Sequence, residues 1–249
     1  MNDRQGERNR VRNDNPDGGE GTRLARRVAE MAGMSRREAE LLIENGAVRV
    51  DGVVAQVIGV RVLPSQRVEI EAGAKAVPVP QVTLLLNKPA GTHTDKAMRL
   101  FVAANHVEPE REGLRFVARH LLDQKCVTPL ESGASGLVVF TQEWRVERKL
   151  HEDANVMEHE VMVDVKGAVS PEALAHLERG AGRVSIGRDS QGVTGLRFAI
   201  KGARPGQIAH LCDEVRLTIV AMKRIRIGRV PLAGLQPGQW RYLLPAERF

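Results

Sequence analysis

From Thr22 onward apolar residues recur every three to four positions: Leu24, Val28 and Met31 share one helical face, and Gly33 supplies a stop. Ser35 and Glu38 form an S-x-x-E capping box that opens a second helix, whose Ala39, Leu42 and Ile43 share a face before Asn45-Gly46 ends it. The period then shortens to two. Val48 and Val50 lead into Asp51-Gly52, a hairpin-turn signal, and Val60, Val62, Val68 and Ile70 supply further short strands around Pro64-Ser65. The pattern predicts a small α+β module over residues 22–72. Residues 73–81, beginning GAKAVPVP, alternate small residues with prolines and read as an extended linker. Beyond it Val82 to Leu86 is a β-rich apolar run closed by the turn cluster Asn87-Lys88-Pro89-Ala90-Gly91, which opens a second domain over 82–249. Residues 1–21 hold almost no large apolar side chains and cannot offset the entropy of ordering, so a disordered tail is expected there.

Composition sharpens this picture. The chain has 249 residues, 42% apolar and 27% charged, which suits one large or two modest domains with real cores. No apolar run approaches the roughly 18 residues of a membrane helix, and the N-terminal stretch is polar, unlike a signal peptide. A monomeric, cytoplasmic protein without membrane contact is therefore expected. Cys126 and Cys212 lie far apart without a C-x-x-C, and read as buried apolar thiols rather than a disulfide or zinc site. The stretch His151, Glu152, Asp153, Glu158, His159 and Glu160 shows no metal-ligand spacing and reads as a solvated loop and strand start. No phosphate-cradling glycine loop is present, so neither metal nor nucleotide cofactor is expected.

Charge is distributed unevenly. The net charge is +6, with 29 arginines against 8 lysines, and arginine's planar fork suits phosphate oxygens. Residues 1–200 are together almost neutral, whereas residues 201–249 carry nine basic and three acidic groups, a net +6. That surplus points to a localised anion-binding surface. Within the strand-like Lys223 to Gly228, alternation puts Arg224 and Arg226 on one face, able to contact phosphate, and Ile225 and Ile227 on the other. Arg36 and Arg37 sit in the first turn of the second helix, where the macrodipole makes cations costly by up to about 1 kcal/mol. A phosphate docked there would reverse the sign; pairing with Glu40 or Glu44 is the alternative.

These residues carry a resemblance. TRLARRVAEMAGMSRREAELLIENGAVRVDG is similar to the αL-type RNA-binding domain that precedes bacterial pseudouridine synthases, except that the usual P-G-D loop is Pro64-Ser65-Gln66. Farther along, Leu86-Asn87-Lys88-Pro89-Ala90-Gly91 resembles the L-N-K-P-x-G opening of the RsuA/RluB/RluF-type ribosomal RNA pseudouridine synthases. Pro129 to Thr141 resembles their R-L-D-x-x-[TS]-x-G-L segment, His159-Glu160-Val161-Met162-Val163 their K-x-Y-x-V, and Gly206 to Cys212 their R-Q-I-R-R-M-C. Lys223 to Gly228 is similar to the next strand, and Leu235 to Arg241 to the L-x-x-G-x-W-R ending. The resemblance implies an α+β fold: a small αL-type RNA-binding domain, then a mixed/antiparallel-sheet pseudouridine-synthase-like domain. It also implies structured RNA, ribosomal RNA in particular, as partner. The expected contacts are Arg23, Arg26, Arg36 and Arg37 in the first domain and Lys88, Gln207, His210, Arg224 and Arg226 in the second.

In that family a flipped uridine is held in a dry pocket, an Asp carboxylate acts at the sugar, a Tyr packs on the uracil and a basic residue pairs with the Asp. This chain departs at all three places, with Glu131, Val161 and Ala209. Glu131 moves its oxygens by about 1 Å, a displacement that can cost about 100-fold in rate. Val161 lacks the aromatic face and hydroxyl. Ala209 removes the expected counter-ion, for which Arg204 and His210 are possible substitutes. The only tyrosine, Tyr242, lies in the trailing Trp-Arg-Tyr segment, where edge packing is expected. The favoured reading is an RNA-binding protein with lost or strongly reduced isomerase activity. The alternatives are a working uridine isomerase with Glu131 as the catalytic carboxylate, and a protein adaptor using the old cleft.

Overall fold

The computed structural model describes residues 21–107 and 114–249; apart from Gly21, the tail expected at the N-terminus lies outside the described residues. The chain forms two compact units, one of residues 21–80 with 114–122, the other of 81–107 with 123–249.

In the first unit β1 (Thr22–Arg23) leads into helices α1 (Leu24–Ala32) and α2 (Arg36–Glu44), followed by β2 (Val48–Val50), β3 (Val53–Ala55), β4 (Arg61–Val62) and β5 (Val68–Ile70). α1 stops at Gly33, whose φ of 63° places it in the left-handed region. The capping box of α2 is complete: the Glu38 N–H donates to Ser35 Oγ at 3.2 Å and the Ser35 N–H donates to the Glu38 carboxylate at 2.8 Å. These bonds hold the Glu38 carboxyl below its usual range. Ser35→Ala is expected to lower the stability of the first unit by about 1 kcal/mol, read as a lower thermal midpoint, because the Glu38 N–H loses its side-chain acceptor. Asp51 and Gly52, with φ of 51° and 80°, make the turn between Val50 and Val53. The Pro64-Ser65-Gln66 departure serves this turn, since Gln66 donates to the Asp51 carboxylate at 2.8 Å and accepts from the Leu63 N–H at 3.0 Å.

Leu24, Ala25, Val28, Leu42, Ile43, Val48 and Val62 form the core. Met31, expected on the buried face, is 53% exposed; Ala25 occupies the inner stripe instead, so the apolar face of α1 is rotated from the simple spacing. Residues 114–122 join this unit although they lie within the expected second domain: the Arg115 guanidinium donates to both Glu71 oxygens at 2.7 and 3.0 Å, and the Ala118 N–H to Gln56 at 2.8 Å. Nothing in local periodicity signals such a return.

The second unit is built on one mixed sheet. Its strands are β6 (Thr83–Lys88), β7 (Lys125–Cys126), β8 (Ser135–Thr141), β9 (Glu158–Lys166), β10 (Arg183–Ser190), β11 (Val193–Lys201), β12 (Ile219–Ile227), β13 (Val230–Pro231) and β14 (Trp240–Tyr242). They run in the order β10-β11-β9-β12-β8-β6-β14, with β13 on β12 and β7 on β8. Only the β8–β12 pair is parallel. Helices α3 (Trp144–Glu152), α4 (Pro171–Ala181) and α5 (Gln207–Glu214) complete the unit. Leu177 of α4 and Ile208, Leu211 and Cys212 of α5 pack on Val161, Val163, Leu196 and Phe198, while Leu150 of α3 joins a second cluster with Leu85, Leu137, Val139 and Ile227. His151 and Glu152, expected in a loop, form the last turn of α3.

Candidate functional site

The loop between β7 and β8 carries Glu131 and is braced from below. The Thr94 hydroxyl donates to Leu130 O at 2.9 Å, the Gly91 N–H donates to Ser132 O at 2.7 Å, and Lys88 Nζ donates to Pro89 O, Thr92 O and Ser132 O at 3.1, 2.8 and 3.3 Å. Lys88 is 0% exposed. The expectation that it contacts RNA is therefore corrected: its ammonium is spent on three carbonyls that shape the Glu131 loop. Burial pushes it below the usual lysine value; the Glu131 charge opposes this and the Arg224 charge adds to it.

Arg224 is also buried, 5% exposed, and donates through Nε to Leu137 O at 2.8 Å and through Nη2 to Thr128 O. Its placement with Arg226 on one solvent-facing phosphate surface is corrected by a bulge in β12. Opposite β9, Arg224 pairs with Val161 but Arg226 pairs with the adjacent Glu160, the register shifting between the two arginines. Adjacent residues of β9 point to opposite faces, and cross-strand partners point the same way, so the bulge sends Arg224 inward and Arg226 outward. Burial brings the Arg224 guanidinium down to about 10, offset in part by Cys126 and Glu131. Arg226 is itself half-buried and taken up by Glu158 at 2.6 Å, Glu160 at 2.9 Å and Gly228 O.

Above Glu131 lies the loop into α5. The Gly206 N–H donates to Glu131 Oε1, and Gly206 holds a φ of 81° at the helix entry. Between this loop and the sheet is a pocket of about 40 Å3, lined by Glu131, His159, Val161, Arg204, Ile208 and Arg224 among others. A volume of this size holds only a few water molecules. The walls from Leu130, Val161, Ile200, Ile208 and Met222 are apolar and no Phe, Tyr or Trp lines the pocket, its one planar ring being the His159 imidazole. Tyr242 is instead 2% exposed in the edge strand β14, with ring centroids 5.6 Å from Trp240 and 5.2 Å from His106.

Ala209 does not face this pocket. It is exposed on the outer side of α5, where it lines an open hollow with Asp213 and Arg216. The view of Ala209 as a vacancy beside Glu131 is thereby corrected, because the α5 side chain turned to the pocket is Ile208. The cations whose charge reaches Glu131 are Lys88 and Arg224. Arg204 lines the pocket, whereas His210 is exposed on α5 with Glu214 3.5 Å away, and Gln207 donates to Gly180 O at 3.3 Å. In the first unit Arg26 pairs with Glu30 at 2.8 Å, and Arg36 and Arg37 share Glu40 at 3.1 and 3.7 Å, all three arginines remaining more than half exposed. Arg23 is exposed in β1.

His159, expected in a solvated stretch, lines the pocket beside Glu131. Burial, with Arg224 and Arg226 nearby, lowers its imidazole from 6.5 to about 3, while Arg226 and Arg197 hold Glu160 at about 2. Both shifts have the same sign for stability. The unfolded chain protonates His159 near 6.5 and Glu160 near 4.5, the folded chain only at about 3 and about 2. The native state is therefore best favoured above pH 6.5 and loses stability as pH falls toward 2. Urea unfolding at pH 7 and pH 5 is expected to show His159→Gln removing up to about 2 kcal/mol of the difference seen in the wild type; an undiminished difference would exclude a buried neutral His159.

The fold and site together define a class: an S4 domain joined to a pseudouridine-synthase fold. Residues 22–68 match the S4 domain family. The second assignment rests on similarity along most of the chain. It is 27% identical over 241 residues to the ribosomal large subunit pseudouridine synthase B of Bacillus subtilis, covering 90% of this chain and 93% of that protein. It is 26% identical over 235 residues to the dual-specificity RNA pseudouridine synthase RluF of Escherichia coli strain K12, covering 90% and 76% respectively. A crystal structure of a pseudouridylate synthase superposes with a TM-score of 0.53 at 18% identity, covering 89% of this chain and 96% of that one. The chain is thus a divergent homologue of the RluB/RluF-type pseudouridine synthases.

Proposed function

We propose that this protein binds structured RNA, ribosomal RNA in particular, and has lost or strongly reduced the uridine isomerase activity of its relatives. The observation that carries the reading is the state of the Glu131 pocket. Its carboxylate is occupied by the Gly206 N–H, its volume is about 40 Å3, and Val161 supplies an aliphatic wall where the family resemblance calls for tyrosine. An extruded uracil needs a broad stacking face and room for a ring, whereas this pocket has no Phe, Tyr or Trp and a volume of about 40 Å3. The lengthened acidic side chain reaches the α5 loop instead of a sugar. RNA binding is supported by the S4 module and its exposed Arg23, Arg26, Arg36 and Arg37. In the second unit, His210 is exposed and Arg204 stands at the pocket rim.

Pseudouridine maps of ribosomal RNA from cells with and without this protein are expected to coincide. Loss of a modified site, restored by the wild-type gene but not by Glu131→Gln, would overturn the noncatalytic reading and establish Glu131 as a working carboxylate. For binding, Arg36→Ala with Arg37→Ala is expected to weaken affinity for a ribosomal RNA fragment and reduce the slope of log affinity against log salt by about two. An unchanged slope would remove this helix start from the interface.

A further inference from the structure

Trp144 begins α3 with its indole 56% exposed. Phe101, Phe140, Phe198, Trp240 and Tyr242 are buried, and among the described residues Trp144 is the only exposed aromatic side chain. An indole left in water forgoes the large apolar burial that those five rings obtain. Two arginines attend it: the guanidinium carbons of Arg145 and Arg148 each lie 5.6 Å from the ring centroid. Arg148 also pairs with Glu152 at 3.1 Å, but both groups are about 60% exposed and such pairs are weak. Arg145 has no carboxylate partner among the described residues.

Arg145, whose guanidinium attends the indole, also lines an open groove of about 500 Å3 with Lys149 and Arg248, and Val146 and Leu244 form its apolar wall. Its two carboxylates are engaged. Glu143 accepts from the Thr83 hydroxyl at 2.5 Å, and Glu247 is held by both Arg241 nitrogens at 2.7 and 2.8 Å. Lys149 pairs with Asp153. Arg248 donates through Nη1 to the Pro245 and Glu247 carbonyls and, like Arg145, has no carboxylate partner among the described residues, so both guanidinium groups keep donors for an anion. A planar group with a phosphate attached matches this combination.

We propose that Trp144, Arg145 and Arg148 form a stacking platform for an unpaired nucleobase of RNA, with Arg145 and Arg248 receiving the flanking phosphates. The platform rests on the RNA-binding reading above and adds a second contact surface, outside both the S4 module and the Glu131 pocket. Base–aromatic stacking tolerates sequence because every base has a π face, so the platform selects single-stranded RNA rather than a particular base. A duplex shows no open base face and is not held there.

The test uses the full chain and two fluorescein-labelled RNAs: a hairpin carrying an oligouridine tail and the same hairpin without it. Trp144→Ala is expected to weaken binding of the tailed RNA by about 5- to 100-fold and leave the blunt hairpin unchanged, with Trp144→Phe keeping most of the affinity. The double substitution Arg145→Ala, Arg148→Ala is expected to lower the salt slope for the tailed RNA alone by about one to two. Because Trp144 is exposed, these variants are expected to keep the wild-type thermal midpoint. If the wild type binds both RNAs, Arg36→Ala with Arg37→Ala weakens both, and Trp144→Ala changes neither, the platform is overturned while RNA binding stands. If the wild type binds neither RNA, the RNA-binding reading falls and the platform with it.

Discussion

Arg224→Met is expected to destabilise the second unit by about 3–5 kcal/mol, measured by urea unfolding of the full chain. The two side chains are similar in volume, so the loss comes from polar groups rather than from a large cavity. Removing the guanidinium strips donors from Leu137 O and Thr128 O, both in buried residues. It also removes one of the two buried cations beside the Glu131 loop. Each orphaned carbonyl costs about 1–3 kcal/mol. Arg224→Lys is expected to recover little of the loss, because one ammonium cannot reproduce the fork that spans the two carbonyls. A loss below about 1 kcal/mol for Arg224→Met would place Arg224 back on the surface.

The second large effect is expected at Gly136, the first residue of β8 after Ser135. Its φ is 107°, and a Cβ there would lie 2.2 Å from Arg224 O and 2.7 Å from Arg224 N. Those atoms belong to the backbone of the parallel partner strand and cannot step aside as a side-chain tip would. Gly136→Ala is therefore expected to cost about 4 kcal/mol or more, appearing as loss of cooperative unfolding or of soluble protein. Gly133→Ala, in the loop just before β8, meets nothing within 4 Å and is the control. It is expected to stay within about 1 kcal/mol of the wild type. Equal behaviour of the two variants would show that β8 and β12 do not approach as closely as the structure places them.

The consequences for the candidate site are linked. Gly136 lets β12 close on β8, the bulge that follows Arg224 turns that arginine inward, and Lys88 ties the carbonyls of the neighbouring loops together. Glu131 accepts from the Gly206 N–H within the reach of the charges of buried Lys88 and Arg224. The proposal of lost or reduced isomerase activity rests on what surrounds this carboxylate: the aliphatic wall at Val161 and a pocket of about 40 Å3.

The sequence alone determined the features whose interactions span only a few residues. The Ser35–Glu38 box and the Gly33 stop are where their chemistry put them, because each is satisfied within four positions, and the Asp51-Gly52 turn stands where its residue types, which tolerate positive φ, placed it. The ordered motifs along the chain likewise fixed the S4 module and the mixed-sheet domain after it. Which charges reach solvent was decided only by tertiary structure. Strict alternation put Arg224 and Arg226 together, but one bulged residue in β12 separates their faces, and the carbonyls that accept from Arg224 lie 87 and 96 residues away along the chain. The surroundings of Lys88, Ala209 and His159 and the exposure of Trp144 have the same origin. Burial of a polar or aromatic group depends on partners from distant segments, and no local pattern carries that information.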